Sequence, residues 1–316
     1  METVRLGSSK LTVSRIGLGC EPLGGSDWGA VDLDLGMRAV AESGRLDINL
    51  FDTADIYGLG RSEELLTVAL GSQRDRVVIV SKFGMRWKSS SGQARATVFR
   101  DASARWLVQA VEDSLRRLKL ECIPVYLVHW PDPNSPIAET IEALDRCRRA
   151  GKILHIGVSN FSAEQIREAN TTAPLTVVEV QYNLLDRHAE AEIFPLCQEL
   201  GIGVMVYGPL AQGFLTGKYG VRDRFGMDDR RHRLSHFQPG KIAENLEIIK
   251  HLREVGARHG RSPAQVALRW VFDHPAVSCA IVGIKSPQQI KENVDAIGWQ
   301  LDPEERALLN AGGRPS

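Results

Sequence analysis

The sequence predicts an α/β protein, a (β/α)₈ barrel that takes residues 1–316 as a single domain. Three observations predict it. Eight short apolar runs rich in Val and Ile recur along the chain, patterns with helical spacing lie between them, and polar or ionisable residues follow seven successive runs. Continuous rather than alternating hydrophobicity suits parallel strands buried on both faces. Alternation of such strands with helices suits a parallel sheet with helical crossovers, and 316 residues fit one barrel with insertions.

Taken in order, Val4 to Val13 holds Gly7-Ser8-Ser9 between two short extended pieces and reads as a hairpin capping one end of the barrel. The eight strands are then Ile16–Leu18, Ile48–Phe51, Val77–Val80, Ile123–Val128, Ile153–Val158, Val177–Val180, Ile202–Val206 and Ala280–Val282. Between them, Leu107, Val111, Leu115 and Leu118 recur at spacings of four, four and three, which places them on one helix face. Ser162 with Gln165, Ser262-Pro263 with Gln265, and Ser286-Pro287 with Gln289 each read as an N-cap followed by its capping partner. About seventy residues separate the seventh and eighth strands. They hold an extra helix over about Ala243 to Ala257 besides the regular one from Ser262, and a last helix follows Asp302-Pro303. The competing architecture is an open doubly wound sheet, which would carry G-x-G-x-x-G after its first strand. Here Gly17-Leu18-Gly19-Cys20-Glu21-Pro22-Leu23-Gly24 misplaces the third glycine and puts Pro22 where a helix should begin.

Composition narrows the function. Thirty-nine basic residues balance thirty-nine acidic ones, so no global field favours nucleic acid or a membrane surface. Cys20, Cys122, Cys147, Cys197 and Cys279 are odd in number and form no CxxC pair, which argues against a disulfide framework or a zinc site and for small buried apolar residues. No signal-peptide pattern and no membrane-length apolar run is present, so a soluble cytoplasmic protein is expected. A homo-oligomer is compatible with the sequence, which does not encode its size in any pattern.

Chemistry in such a barrel sits at the carboxyl ends of the strands. Those ends read Asp52-Thr53-Ala54-Asp55-Ile56-Tyr57-Gly58, Ser81-Lys82-Phe83-Gly84 and His129-Trp130-Pro131, bringing an aspartate, a tyrosine, a lysine and a histidine to one mouth. An unperturbed tyrosine, with a pKa of about 10, is a poor acid at neutral pH. An ammonium beside it favours the phenolate, so Lys82, held charged by Asp52, is expected to lower that value, and His129 to orient the same carbonyl oxygen.

The chain resembles the aldo-keto reductase superfamily, in its bacterial and potassium-channel-β-like branch. Phe51-Asp-Thr-Ala-Asp-Ile-Tyr-Gly-Leu-Gly-Arg-Ser-Glu-Glu-Leu-Leu66, Leu127-Val-His-Trp-Pro-Asp132 and Gly151-Lys-Ile-Leu-His-Ile-Gly-Val-Ser-Asn160 carry the resemblance, which extends from about Leu6 to the last helix. It implies that Asp52, Tyr57, Lys82 and His129 form the catalytic tetrad, with Tyr57 as general acid in reduction and base in oxidation. It also implies that Ser159, Asn160 and Gln181 bind the nicotinamide carboxamide and that Tyr207 stacks on the ring. Gly208, Pro209, Leu210, Gly213, Leu215, Gly217 and Lys218 then match the loop over the pyrophosphate, with Gly208 where the family usually places serine. Gly283, Lys285, Gln289, Glu292 and Asn293 match the adenine and 2′-phosphate segment. Lys285, beside the helix start at Ser286-Pro287, favours NADP(H). The expected partner is a small-molecule carbonyl substrate.

Four loop residues are candidates for the substrate pocket: Glu21, against a polyhydroxylated or amine-bearing substrate, and Trp28, Trp87 and Trp130 as walls. Tyr219 to Gly240, with Arg222, Arg224, Arg230, Arg231 and Arg233, reads as a mobile lid. His232 and His236 are four apart but lack a third ligand, so no metal is expected. The alternatives are a redox-sensing regulatory module like a channel β subunit, and a barrel isomerase or lyase. A sugar, an aryl aldehyde and a polyketide-type ketone are all compatible substrates.

Overall fold

The structure is a computed structural model and describes residues 1–88, 96–283 and 285–312. Eight parallel strands close into a barrel: β1 (Ile16–Gly19), β2 (Leu50–Asp52), β3 (Val78–Phe83), β4 (Ile123–Val128), β5 (Ile153–Ser159), β6 (Val177–Gln181), β7 (Gly203–Tyr207) and β8 (Val277–Gly283). Each pairs with its neighbours in sequence, and Ala280 of β8 registers with Ile16 of β1 to close the ring. The helices α1 (Leu33–Ser43), α2 (Arg61–Leu70), α3 (Ala104–Leu118), α4 (Ile137–Arg149), α5 (Ala163–Thr172), α6 (Ile193–Leu200), α7 (Pro239–His259), α8 (Pro263–Phe272), α9 (Pro287–Val294) and α10 (Pro303–Gly312) complete the order.

Two apolar layers result. Strand residues facing outward pack with the helices, including Leu107, Val111 and Leu118 from the predicted face of α3. Residues facing inward, among them Leu50, Val80, Leu127, Val177, Met205 and Ile281, fill the barrel. The predicted hairpin forms, Thr3–Arg5 against Thr12–Ser14, and its Leu6 and Val13 plug the amino-terminal end of that filling. The barrel is thus solid below, and Asp52, Lys82, Ser159 and Glu179 are buried polar residues toward the carboxyl ends of their strands.

All eight predicted strands are present, but their ends shift in a way that matters. Asp52, Lys82, Ser159, Gln181, Tyr207 and Gly283 belong to the strands themselves rather than to the loops after them. The extra helix after β7 is α7, longer than its apolar pattern suggested because Pro239 starts it at N1 and Gly260 ends it in the left-handed conformation. Ser162–Gln165 and Ser262–Gln265 form reciprocal capping boxes. At α9 only half of the box forms: Ser286 accepts from the Gln289 N–H, while Gln289 Oε1 accepts from the Lys285 N–H at 2.7 Å. One element was not foreseen, a hairpin of Met85–Lys88 with Thr97–Arg100 beside the mouth after β3. The cysteines are free and mostly buried, and among the described residues no helix is long and apolar enough to cross a membrane.

Candidate active site

The floor of the barrel mouth is built on strands. Lys82, fully buried on β3, donates to Asp52 Oδ2 of β2 at 2.5 Å and to the Thr53 carbonyl at 3.1 Å. A third group was missed by sequence reasoning: Glu179 of β6, 2 % exposed, with Oε1 at 3.5 Å from Lys82 Nζ. It stands inside the run Val177–Val180, counted as apolar core. An acid within a buried run needs a partner, and that was the signal available.

Tyr57 is held over this floor by its loop. Its N–H donates to the Ala54 carbonyl at 3.2 Å, and its own carbonyl accepts from the Ser62 N–H at 3.1 Å. Ser62 Oγ also donates to the Cys20 carbonyl at 2.7 Å, which ties the loops after β1 and β2 together. Two glycines let those loops touch. Gly58 has φ +60°, and a Cβ there would overlap the Gly24 carbonyl; a Cβ on Gly24 would lie 2.6 Å from the Gly58 nitrogen. The result puts the Tyr57 ring 5.2 Å from Lys82 Nζ and edge-on to His129, with centroids 5.6 Å apart. The four residues expected to form the tetrad therefore converge.

The electrostatics differ from expectation at one point. Burial pushes the Tyr57 phenol up, Lys82 pulls it down, and Asp52, Glu21 and Glu179 push it up again, so the net direction is well above the ordinary value. The expectation that Lys82 lowers it overall is therefore corrected: the ammonium acts, but burial, the largest cause, outweighs it. Burial also pulls Lys82 down, yet Asp52 and Glu179 more than restore it, and the ammonium persists. Burial, then Lys82 and Arg230, hold His129 well below the usual imidazole value, so it is neutral. Burial and the nearby Asp52 push Glu179 far above the ordinary carboxyl range.

From the floor a cleft of about 1120 Å³ runs along the strand ends. Asp52, Tyr57 and His129 line it, while Lys82 lies beneath its surface. Ser159, Asn160, Gln181, Tyr207, Gly208, Pro209, Leu210, Gly213, Lys218, Gly283, Lys285, Gln289, Glu292 and Asn293 border it; Leu215 and Gly217 do not, Leu215 being packed into the core. Asn160, in the left-handed conformation that asparagine tolerates, donates to the His129 carbonyl at 3.0 Å and accepts from Tyr207 Oη at 2.7 Å. After β7 the backbone turns left-handed at Gly208, Ala211, Gln212 and Gly213, two of them non-glycine. Strain of that kind costs roughly 1–3 kcal/mol per residue and clusters at ligand-binding segments. Among the described residues, Trp28 Nε1, His129 Nδ1 and Gln212 Oε1 are buried polar atoms without a hydrogen-bond partner, and all three residues line the cleft. Its size and these open bonding positions fit a dinucleotide laid along the mouth with a small substrate beside Tyr57.

The rim is made of loops. Glu21 receives both terminal nitrogens of Arg230, one at 3.0 Å, and Arg230 lies 4.8 Å over the Trp28 ring. Arg230 and Arg233 also pair with Asp27, and Trp28 bridges to Asp229. The segment expected to be a mobile lid is therefore clasped across the cleft, with Tyr219, Phe225 and Phe237 packed edge-to-face behind it. His232 and His236 fall in separate short turns, so they do not share a helix face. Trp28 and Trp130 border the cleft, as does Glu21. Trp87 does not; on its hairpin Met85 and Val98 take that place.

Comparison with known proteins agrees with this fold. The model of the aldo/keto reductase family matches residues 15–312. The chain is 36 % identical to the aldo-keto reductase YhdN of Bacillus subtilis, over 98 % of this chain and 93 % of that protein. It is 32 % identical to an NADH-specific methylglyoxal reductase of Escherichia coli, over 98 % and 97 % of the two chains. Among solved structures it matches a glycerol dehydrogenase of Gluconobacter oxydans with a TM-score of 0.90 and 34 % identity, covering 98 % of this chain and 94 % of that one.

Proposed function

The chain belongs to the aldo/keto reductase family, and from that premise we propose that it reduces a small, neutral, hydroxylated aldehyde or ketone with NADPH, reversibly, with Tyr57 as the proton donor. The observation that carries the reading is the convergence of Tyr57, Lys82, Asp52 and His129 at the head of the cleft. When bound, the reduced nicotinamide supplies a hydride to the carbonyl carbon.

The rest falls to the protein. Negative charge grows on the carbonyl oxygen, and Tyr57 gives it the phenolic proton. Because its pKa is held up, the phenol stays protonated throughout the neutral range and is always ready as an acid. A nascent alkoxide is a stronger base than a phenolate, so the transfer still runs downhill. Lys82, a persistent ammonium, takes up the charge left on the tyrosine oxygen. Neutral His129 donates a hydrogen bond to the carbonyl oxygen and fixes its direction. General-acid assistance of this kind contributes about 10²–10⁴ in rate.

The substrate class rests on the rim. Glu21 is already neutralised by Arg230, which weakens the case for an amine and favours hydroxyl groups sharing the pair's remaining bonding positions. Trp28 and Trp130 supply flat apolar walls. NADPH over NADH rests on Lys285. It is half-buried at the cleft wall, donates to the Trp28 carbonyl at 2.9 Å, and stands one residue before the Ser286 cap of α9. A 2′-phosphate there would meet an ammonium and a helix start. The test is cofactor consumption with neutral hydroxyaldehydes, apolar aldehydes and charged carbonyls, each with NADPH and NADH. The result predicted is turnover favouring the neutral hydroxylated compounds and NADPH, with Lys285→Ala weakening NADPH by about tenfold or more and NADH far less. Absence of turnover with every carbonyl and cofactor, in both directions, contradicts the reading.

A further inference from the structure

Glu179 has no part in the proton and hydride transfers described above, yet it lies against the groups that make them. Its Oε1 is 3.5 Å from Lys82 Nζ, whose shorter bond goes to Asp52. Two carboxyl groups thus face one ammonium inside the barrel, with side-chain exposures of 3 % and 5 % for the acids and 0 % for the lysine. If both acids ionise, the floor carries a net negative charge away from water, which is costly; one proton removes it. Hydrogen bonding agrees. As a carboxylate, Glu179 leaves Oε2 buried with no donor to accept from. As a carboxylic acid it can itself donate, and the Asp52 carboxyl is within its hydrogen-bonding reach.

We propose that Glu179 is a positioning residue that keeps a proton between itself and Asp52, so that Lys82 faces one negative charge and not two. The inference rests on the tetrad reading above. Glu179 holds its proton through the cycle; the proton given to the carbonyl comes from Tyr57. Its effect passes through the charge it does not carry. An ionised Glu179 raises the Tyr57 phenol further and makes it a weaker acid. Reduction therefore slows when Glu179 is deprotonated. The other groups facing it are Asp52 on β2, Tyr57 on the loop after β2, Lys82 on β3, Tyr207 on β7 and Cys279 on β8. All but Lys82 are neutral or negative, so only Lys82 favours its ionisation.

Infrared difference spectroscopy of wild type against Glu179→Gln tests the protonation without any turnover, and so separates this inference from the reading of the activity. A carbonyl stretch of a protonated acid, present in the wild type at neutral pH and lost in Glu179→Gln, is expected. Asp55 is also buried with its carboxyl pushed up, so the relevant band is the one that the substitution removes. Kinetics supply the second arm. The reductive kcat of the wild type declines on the alkaline side with the apparent pKa of that band, and Glu179→Gln loses the decline. The amide, which can still donate to Asp52, rescues turnover relative to Glu179→Leu by about tenfold, the equivalent of one hydrogen bond to a charged group. A wild type without the band at neutral pH, or a decline that persists unshifted in Glu179→Gln, overturns the proposal.

Discussion

The floor and the rim of the cleft both rely on ion pairs, but of opposite kinds. Lys82, Asp52 and Glu179 are almost wholly buried on rigid strands, and each has few alternative partners. Glu21, Asp27, Arg230 and Arg233 sit on loops with roughly a quarter to a half of each side chain exposed, and they share partners. A buried pair loses its compensation entirely when one member goes, whereas an exposed pair is screened and worth little. On the proposed reading the floor therefore carries the reaction and couples it to stability. The rim can change its substrate without endangering the fold.

The sharpest test of that contrast is Lys82→Met. It leaves two carboxyl groups without their cation, and the fold should lose about 3 kcal/mol or more, together with nearly all turnover. Thermal melting and kcat measure both, and a stable, active variant would erase the distinction. Gly58→Ala should come next. Strain at φ +60° and collision with Gly24 are expected to cost about 1–3 kcal/mol and to displace Tyr57, lowering kcat more than KM.

His129 gives a pH signature to the floor. Its folded pKa is depressed, so below the ordinary value of about 6.5 the unfolded chain binds a proton that the folded chain refuses. The stability it contributes is full above that value and is lost as pH falls toward the folded pKa. His129→Gln should flatten this part of the stability–pH curve in denaturant titrations, and an unchanged slope would place the acid sensitivity elsewhere. The smallest effect on stability is expected at the rim. Arg230→Ala should cost about 1 kcal/mol or less while raising KM for hydroxylated substrates several-fold and leaving kcat largely intact. A large loss of stability would show the rim to be structural.

The same contrast explains what the sequence disclosed. Strands buried on both faces must be apolar throughout, so all eight could be read, and the tetrad stood out as polar residues at their ends. The hairpin Met85–Lys88 with Thr97–Arg100 buries little, so no strong pattern marked it. Trp87 was expected in the pocket because it lies in a strand-end segment, but of its hairpin Met85 and Val98 border the cleft and Trp87 does not. Glu179 hid inside an apolar run. The sign of the Tyr57 shift was missed because the pull of Lys82 could be read from sequence while burial, the largest cause, could not. Likewise the partners of Arg230 and Arg233, Glu21 and Asp27, lie some two hundred residues earlier in the chain and could not be paired with them from sequence.

The central claim is that a phenol held protonated at the floor delivers the proton, and single-turnover reduction by Tyr57→Phe tests it most directly. With NADPH binding monitored by fluorescence in the same samples, the predicted result is unchanged cofactor affinity and a rate of hydride consumption lower by about 10² or more. Reduction at the wild-type rate in a variant that binds NADPH normally would contradict it.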